Sequence, residues 1–167
     1  MAKEISTVGA KVVLSNGYFK TPLTIDEFSD EGTPFDSPDV DFSNNQKNLN
    51  GEMISSRTPS VYPFSITVIP GSIADQRLTE FFRKSGLQKG QLTDQSLTGA
   101  QLYCDIEVVI PGIVQVGASA GTSGVSTGDR TYGFTNARPK SGPVGPSTSA
   151  EGRQSARTFS FEAEGIY

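Results

Sequence analysis

Apolar and polar side chains alternate most cleanly over "SVYPFSITVI" (Ser60–Ile69), where Tyr62, Phe64, Ile66 and Val68 fall on one side and Ser65 and Thr67 on the other. A period of two is that of a strand with one buried face. Burying those four side chains contributes about 1.5–3 kcal/mol each. Pro63 has no N–H to offer a neighbour, which places it at the start of the strand or on an edge. The period then changes. In "SIADQRLTEFFRKSG" (Ser72–Gly86), Ala74, Leu78, Phe81 and Phe82 recur at helical spacing. Ser72 is a natural N-cap with Asp75 three positions on, and Arg83 and Lys84 stand where the helix dipole favours cations. The pattern predicts a helix over about 73–85, closed by Gly86 in a left-handed cap.

Two further segments alternate. In "AQLYCDIEVVIPG" (Ala100–Gly112), Leu102, Cys104, Ile106, Val108 and Ile110 oppose Tyr103, Asp105 and Glu107. In "RTFSFEAEG" (Arg157–Gly165), Phe159, Phe161 and Ala163 oppose Ser160, Glu162 and Glu164, which predicts a closing strand with a wet, acidic face. "KVVLSNGYF" (Lys11–Phe19) carries an Asn16-Gly17 pair that favours a tight hairpin, with its second arm in "YFKTPLTI". "DEFSDEGTPFDSP" (Asp26–Pro38) reads as a loop. "DVDFSNNQKNLNGEMISS" offers weak arms at Val40/Phe42 and Leu49/Met53 around an Asn-rich connection, hence a long protruding hairpin over about 38–57. From Gly117 to Arg157 the chain is rich in Gly, Ser, Thr, Ala and Pro and reads as loop, with "DRTYGFTNA" pairing only briefly. The expected architecture is one domain over 1–167. It is mostly β (a β-sandwich or barrel) with one flanking α-helix and long loops.

Composition narrows the function. The 167 residues are 35% hydrophobic and 19% charged, with 18 Gly, 10 Pro and a formal net charge of −4. No basic tract occurs, so a grip on DNA or RNA phosphates is not expected; nucleic acid could pass such a protein without adhering. The single cysteine excludes an intrachain disulfide, and no run of about 20 apolar residues would span a membrane. The first residues do not read as a signal peptide, so synthesis and folding in a reducing cytoplasm are expected.

Reactive groups are scarce. There is no histidine, which removes Ser-His-Asp and Cys-His catalysis and imidazole metal sites. No lysine has a serine three positions before it, and Cys104 lies inside a strand as a small apolar residue. Asp36, Asp39 and Asp41 cluster behind Asp26, Glu27, Asp30 and Glu31 without EF-hand spacing, and read as a solvated loop. "IPGS" (Pro70–Ser72 after Ile69) looks at first like a phosphate cradle. It has one glycine, a proline without N–H, no lysine, and Asp75 in the first helical turn, so it reads as a capped corner. "VIPG" recurs at Val68–Gly71 and Val109–Gly112, where the same turn stops two strands. No catalytic, cofactor-binding or metal site is expected, and the protein is not expected to be an enzyme.

The stretch "NGEMISSRTPSVYPFSITVIPGSIADQRLTEFF" (Asn50–Phe82) resembles the central segment of bacteriophage tail tube proteins, especially those of contractile tails. That resemblance implies a virion structural protein made in the bacterial host. Its copies would form hexameric rings, stacked into the channel through which the genome is ejected, with the tail sheath, baseplate and tail terminator as neighbours. It implies that the hairpin residues Val40, Phe42, Leu49, Met53, Ile54 and Arg57 contact the next ring. Asp105, Glu107, Glu162 and Glu164 become candidates to line the lumen. The alternatives are another β-rich virion component, such as a tail terminator or capsid decoration protein, and a carbohydrate-binding or adhesin module. The absence of Trp weighs against sugar stacking.

Overall fold

A computed structural model describes residues 2–3, 9–29, 32–58, 60–86, 99–111, 115–116, 130–143, 145–146, 148 and 152–167. Its elements begin with β1 (Ala2–Lys3), β2 (Lys11–Asn16), β3 (Phe19–Ile25), β4 (Phe35–Asp36), β5 (Ser43–Lys47), β6 (Met53–Arg57) and β7 (Tyr62–Val68). They continue with α1 (Ile73–Ser85), β8 (Cys104–Ile110), β9 (Gln115–Val116), β10 (Arg130–Ser141), β11 (Arg157–Ala163) and β12 (Gly165–Ile166). The fold is mostly β with a single α-helix, as the alternation predicted.

The main sheet runs β3-β2-β8-β10-β11-β7-β4, with β12 on β10, and its pairs are antiparallel. β10 joins its two halves. The first part of β10 pairs with β8, and the rest, from Arg138, pairs with β11. Between Phe134 and Ala137 the register slips, and Asn136 takes a left-handed φ of 50°. β12 continues β11 along the same flank of β10 after a break at Glu164, whose N–H donates to Thr135 O at 3.0 Å. The bend turns both halves onto one core. Val12, Leu14, Phe19, Leu23 and Ile25 meet Phe64, Ile66, Val68, Ile106, Val108, Phe159 and Phe161 there.

The helix ties the halves together. Phe81 packs on Tyr18 and Phe19 of the first hairpin, with ring centroids 5.2 and 5.0 Å away. Phe82 sets its edge against Phe159 and Phe161 of β11 at 5.0 and 5.1 Å. The expected buried faces of β7, β8 and β11 are found, and Cys104 is buried among them. Asn16 and Gly17 both adopt positive φ, 65° and 55°, where β2 turns back into β3, and with Asn16 opposite Phe19 the tight loop is Gly17-Tyr18.

Four expectations are corrected. Gly86 caps the helix at φ −85°, not left-handed; its N–H reaches Phe82 O at 3.0 Å, which closes the last turn without positive φ. Leu102 lies in a short 3-10 turn ahead of β8 and outside the strand. "DRTYGFTNA" does not pair briefly: its described residues, Arg130–Ala137, are most of the twelve-residue β10. The hairpin arms are Ser43–Lys47 and Met53–Arg57, so the Asn-rich stretch is itself a strand, and Val40 and Phe42 precede it. Within the Gly/Ser-rich tract, "GASAGTSGVSTG" lies outside the described residues.

Candidate assembly surface

Among the described residues β5 and β6 pair only with each other, from Ser43↔Arg57 to Lys47↔Met53, and all ten of their residues are exposed. The ribbon carries polar residues almost throughout, yet Met53, Ile54 and, at its apex, Leu49 are large apolar side chains held in water. An isolated two-stranded ribbon gains little from its own pairing. Exposed apolar side chains grouped on one projection mark a contact surface more than a fold requirement.

At the root of the ribbon lies a cleft of about 300 Å³. Val40, Phe42 and Tyr62 form one wall, and Tyr132, Ile166 and Tyr167 the other. β12 shapes that second wall. Gly133 and Tyr167 exchange backbone hydrogen bonds of 3.0 and 2.9 Å, and the Tyr167 ring lies where a side chain on Gly133 would stand. A Cβ there would come within 2.1 Å of the ring, so only glycine admits this seat.

The six hairpin candidates therefore divide. Leu49 stands at the apex, Met53, Ile54 and Arg57 lie on β6, and Val40 and Phe42 line the root cleft.

The four acidic candidates divide as well. Asp105 accepts from Asn16 Nδ2 at 2.6 Å and from the Asn136 N–H at 3.1 Å. Asn136 Nδ2 donates in turn to Glu164 at 2.9 Å, so these two acids clasp the two left-handed asparagines that turn β2 and bend β10. Glu107 stays on the outward face of β8. Burial first, and then the negative charge of Glu107 and Asp105, raise the Tyr167 phenol above its ordinary pKa of 10.0. Glu162 belongs to the other half of the sheet and pairs with Lys140 at 2.7 Å. Two of the four thus have structural work at the bend, and one is neutralised by a neighbouring cation.

The "IPGS" corner is closed to ligands by its own bonds. Ser72 Oγ accepts the Asp75 N–H at 3.2 Å, and Asp75 Oδ2 accepts the Gly71 N–H at 2.9 Å. Asp75 has a second task that its spacing did not disclose. Its Oδ1 lies 2.6 Å from Arg157 Nε, with both side chains nearly buried, at 11% and 13% exposure. The approach lacks hydrogen-bond geometry and is Coulombic. Directed bonds run instead from Arg157 Nη2 to Thr79 at 3.2 Å and from Nη1 to Gly145 O at 3.0 Å. Burial pushes the Cys104 thiol far up, with Asp105 adding to it, so no thiolate forms near neutrality. Among the described residues no acid or cysteine cluster could hold a metal ion, and no helix is long and apolar enough to cross a membrane.

A family model described as Tail fiber protein gp32 matches residues 3–112. No curated protein matches the sequence. Among solved structures, the chain is similar to a protein of the anti-feeding prophage tube-terminating cap, at 16% identity and a TM-score of 0.55, covering 98% of this chain and 89% of that one. A chain of the six-fold-symmetrised anti-feeding prophage baseplate gives a TM-score of 0.54 at 9% identity, covering 100% and 96%. One from the extended PVC sheath–tube complex of an extracellular contractile injection system gives 0.50 at 14% identity, covering 94% and 86%. At such identities the shared property is the fold.

Proposed function

The chain belongs to the tail fiber protein gp32 family, and on that premise we propose that it is a structural subunit of a contractile phage tail or phage-tail-like particle, assembling as stacked rings into the tail tube. The observation that carries this reading is the β5–β6 ribbon, which projects apolar residues into water and, among the described residues, pairs with no other strand. A projection of that kind gains its stability from a second molecule. The fold shared with chains of a tube-terminating cap, a baseplate and a sheath–tube complex supports the setting. Rings of six around a channel for the genome, with sheath, baseplate and terminator as neighbours, complete the proposal, and the subunit carries out no reaction of its own. A tube-terminating ring is the second reading, favoured by the likeness to the anti-feeding prophage cap.

Deleting Asn44–Asn50 tests the reading, because it removes four of the five β5 residues and the Leu49 apex and leaves the core untouched. Negative-stain microscopy of the wild type should give tubes, and of the deletion variant no stacks. Wild-type single rings that never stack favour the terminator. Tubes from the deletion variant would refute the role given to the ribbon.

A further inference from the structure

The apex of the ribbon is built with care. Asn48 Oδ1 accepts the N–H groups of Asn50 and Glu52 at 3.0 and 2.9 Å, and Asn48 Nδ2 donates to Glu52 Oε2 at 3.1 Å. Backbone bonds join Asn48 to Glu52 and Gly51, and Gly51 takes a φ of 82°. This turn holds Leu49 wholly in solvent. Close by, at the end of β5, Lys47 has no ion-pair partner among the described residues.

The root cleft has the opposite character. Its walls are Val40, Phe42, Tyr62, Tyr132 and Tyr167, and Asp39 is also part of its lining. Asp36 and Asp41 flank that residue in the chain; all three are exposed and lack a cationic partner among the described residues. At about 300 Å³ the cleft exceeds the ~150 Å³ that holds a benzene-sized apolar group. A chain cannot fill its own cleft. Five paired residues hold the apex roughly 16 Å from the ribbon's base, where Phe42 lines the opening.

We propose that Leu49 of one copy enters the root cleft of a second copy, with Lys47 against Asp39. The occupant is another copy because knob and socket match in both apolar character and charge. The two surfaces are different parts of one chain, so the contact is head-to-tail and repeats from copy to copy. The proposal rests on the self-assembly reading above and gives it a specific joint.

Leu49→Ser and Tyr132→Lys change exposed side chains, so each should keep the wild-type circular dichroism spectrum. Each alone should raise the concentration at which assemblies sediment by about tenfold or more. Mixed in equal amounts, the two variants retain one good socket and one good knob. They should form pairs, of subunits or of rings, and no longer stacks. Lys47→Asp and Asp39→Lys should each weaken assembly, and the double variant should recover it. Leu49→Ser assembling at the wild-type concentration, or a mixture with no pairs, overturns the joint while leaving the tube reading in place. A wild type that stays monomeric when concentrated overturns both.

Discussion

Asp75 fixes the helix start and neutralises Arg157 of β11 at the same time. Asp75→Asn keeps the shape and leaves a nearly buried guanidinium without its counter-charge. Breaking a buried pair from one side costs about 3 kcal/mol, so the urea midpoint should fall accordingly with an unchanged slope. An apolar pair of matching volume at both positions should recover much of the loss. Only half of Asp75's role was legible in the sequence. Its spacing from Ser72 is a local rule and announced the cap, whereas Arg157 lies far along the chain and no spacing rule connects them. The same limit explains the acidic candidates: alternation put Glu162 on an outward face, but Lys140 comes from a different strand. Gly86 misled because glycine permits a left-handed cap without requiring one.

At the scale of elements, β7, β8, β11 and α1 were legible because the apolar side chains of each keep one period, although Thr67 of β7, expected on the polar face, is buried beside Thr158. β10 was not. Its first half and second half bury residues in different phase, Gly133 and Phe134 and then Ala137, because Asn136 bends the strand between two partners. β5 escaped for another reason: a strand with no buried face has no alternation to read. β12, two residues long and paired with β10, should be sensitive to alkali through Tyr167. The folded phenol holds its proton above 10.0, the ordinary value it has when unfolded. Its contribution is therefore complete below pH 10.0 and lost as pH rises through the folded value. Between those values the wild type should lose denaturation free energy faster than Tyr167→Phe, which has no proton to release. Tyr18 is shifted the same way and is common to both proteins, so the difference reports Tyr167.

For the whole molecule, the formal net charge of −4 and the absence of a basic tract define how it meets a polyanion. Assemblies should give no electrophoretic shift of duplex DNA at about 0.15 M salt; a shift that weakens steeply with added salt would mean phosphate contacts the sequence does not suggest. The sheet's construction bears on load. β10 is one uninterrupted backbone belonging to both halves of the sheet, so tension applied to either half is carried to the other through covalent bonds before any side-chain packing has to yield. A subunit built this way resists being pulled into two pieces along that strand.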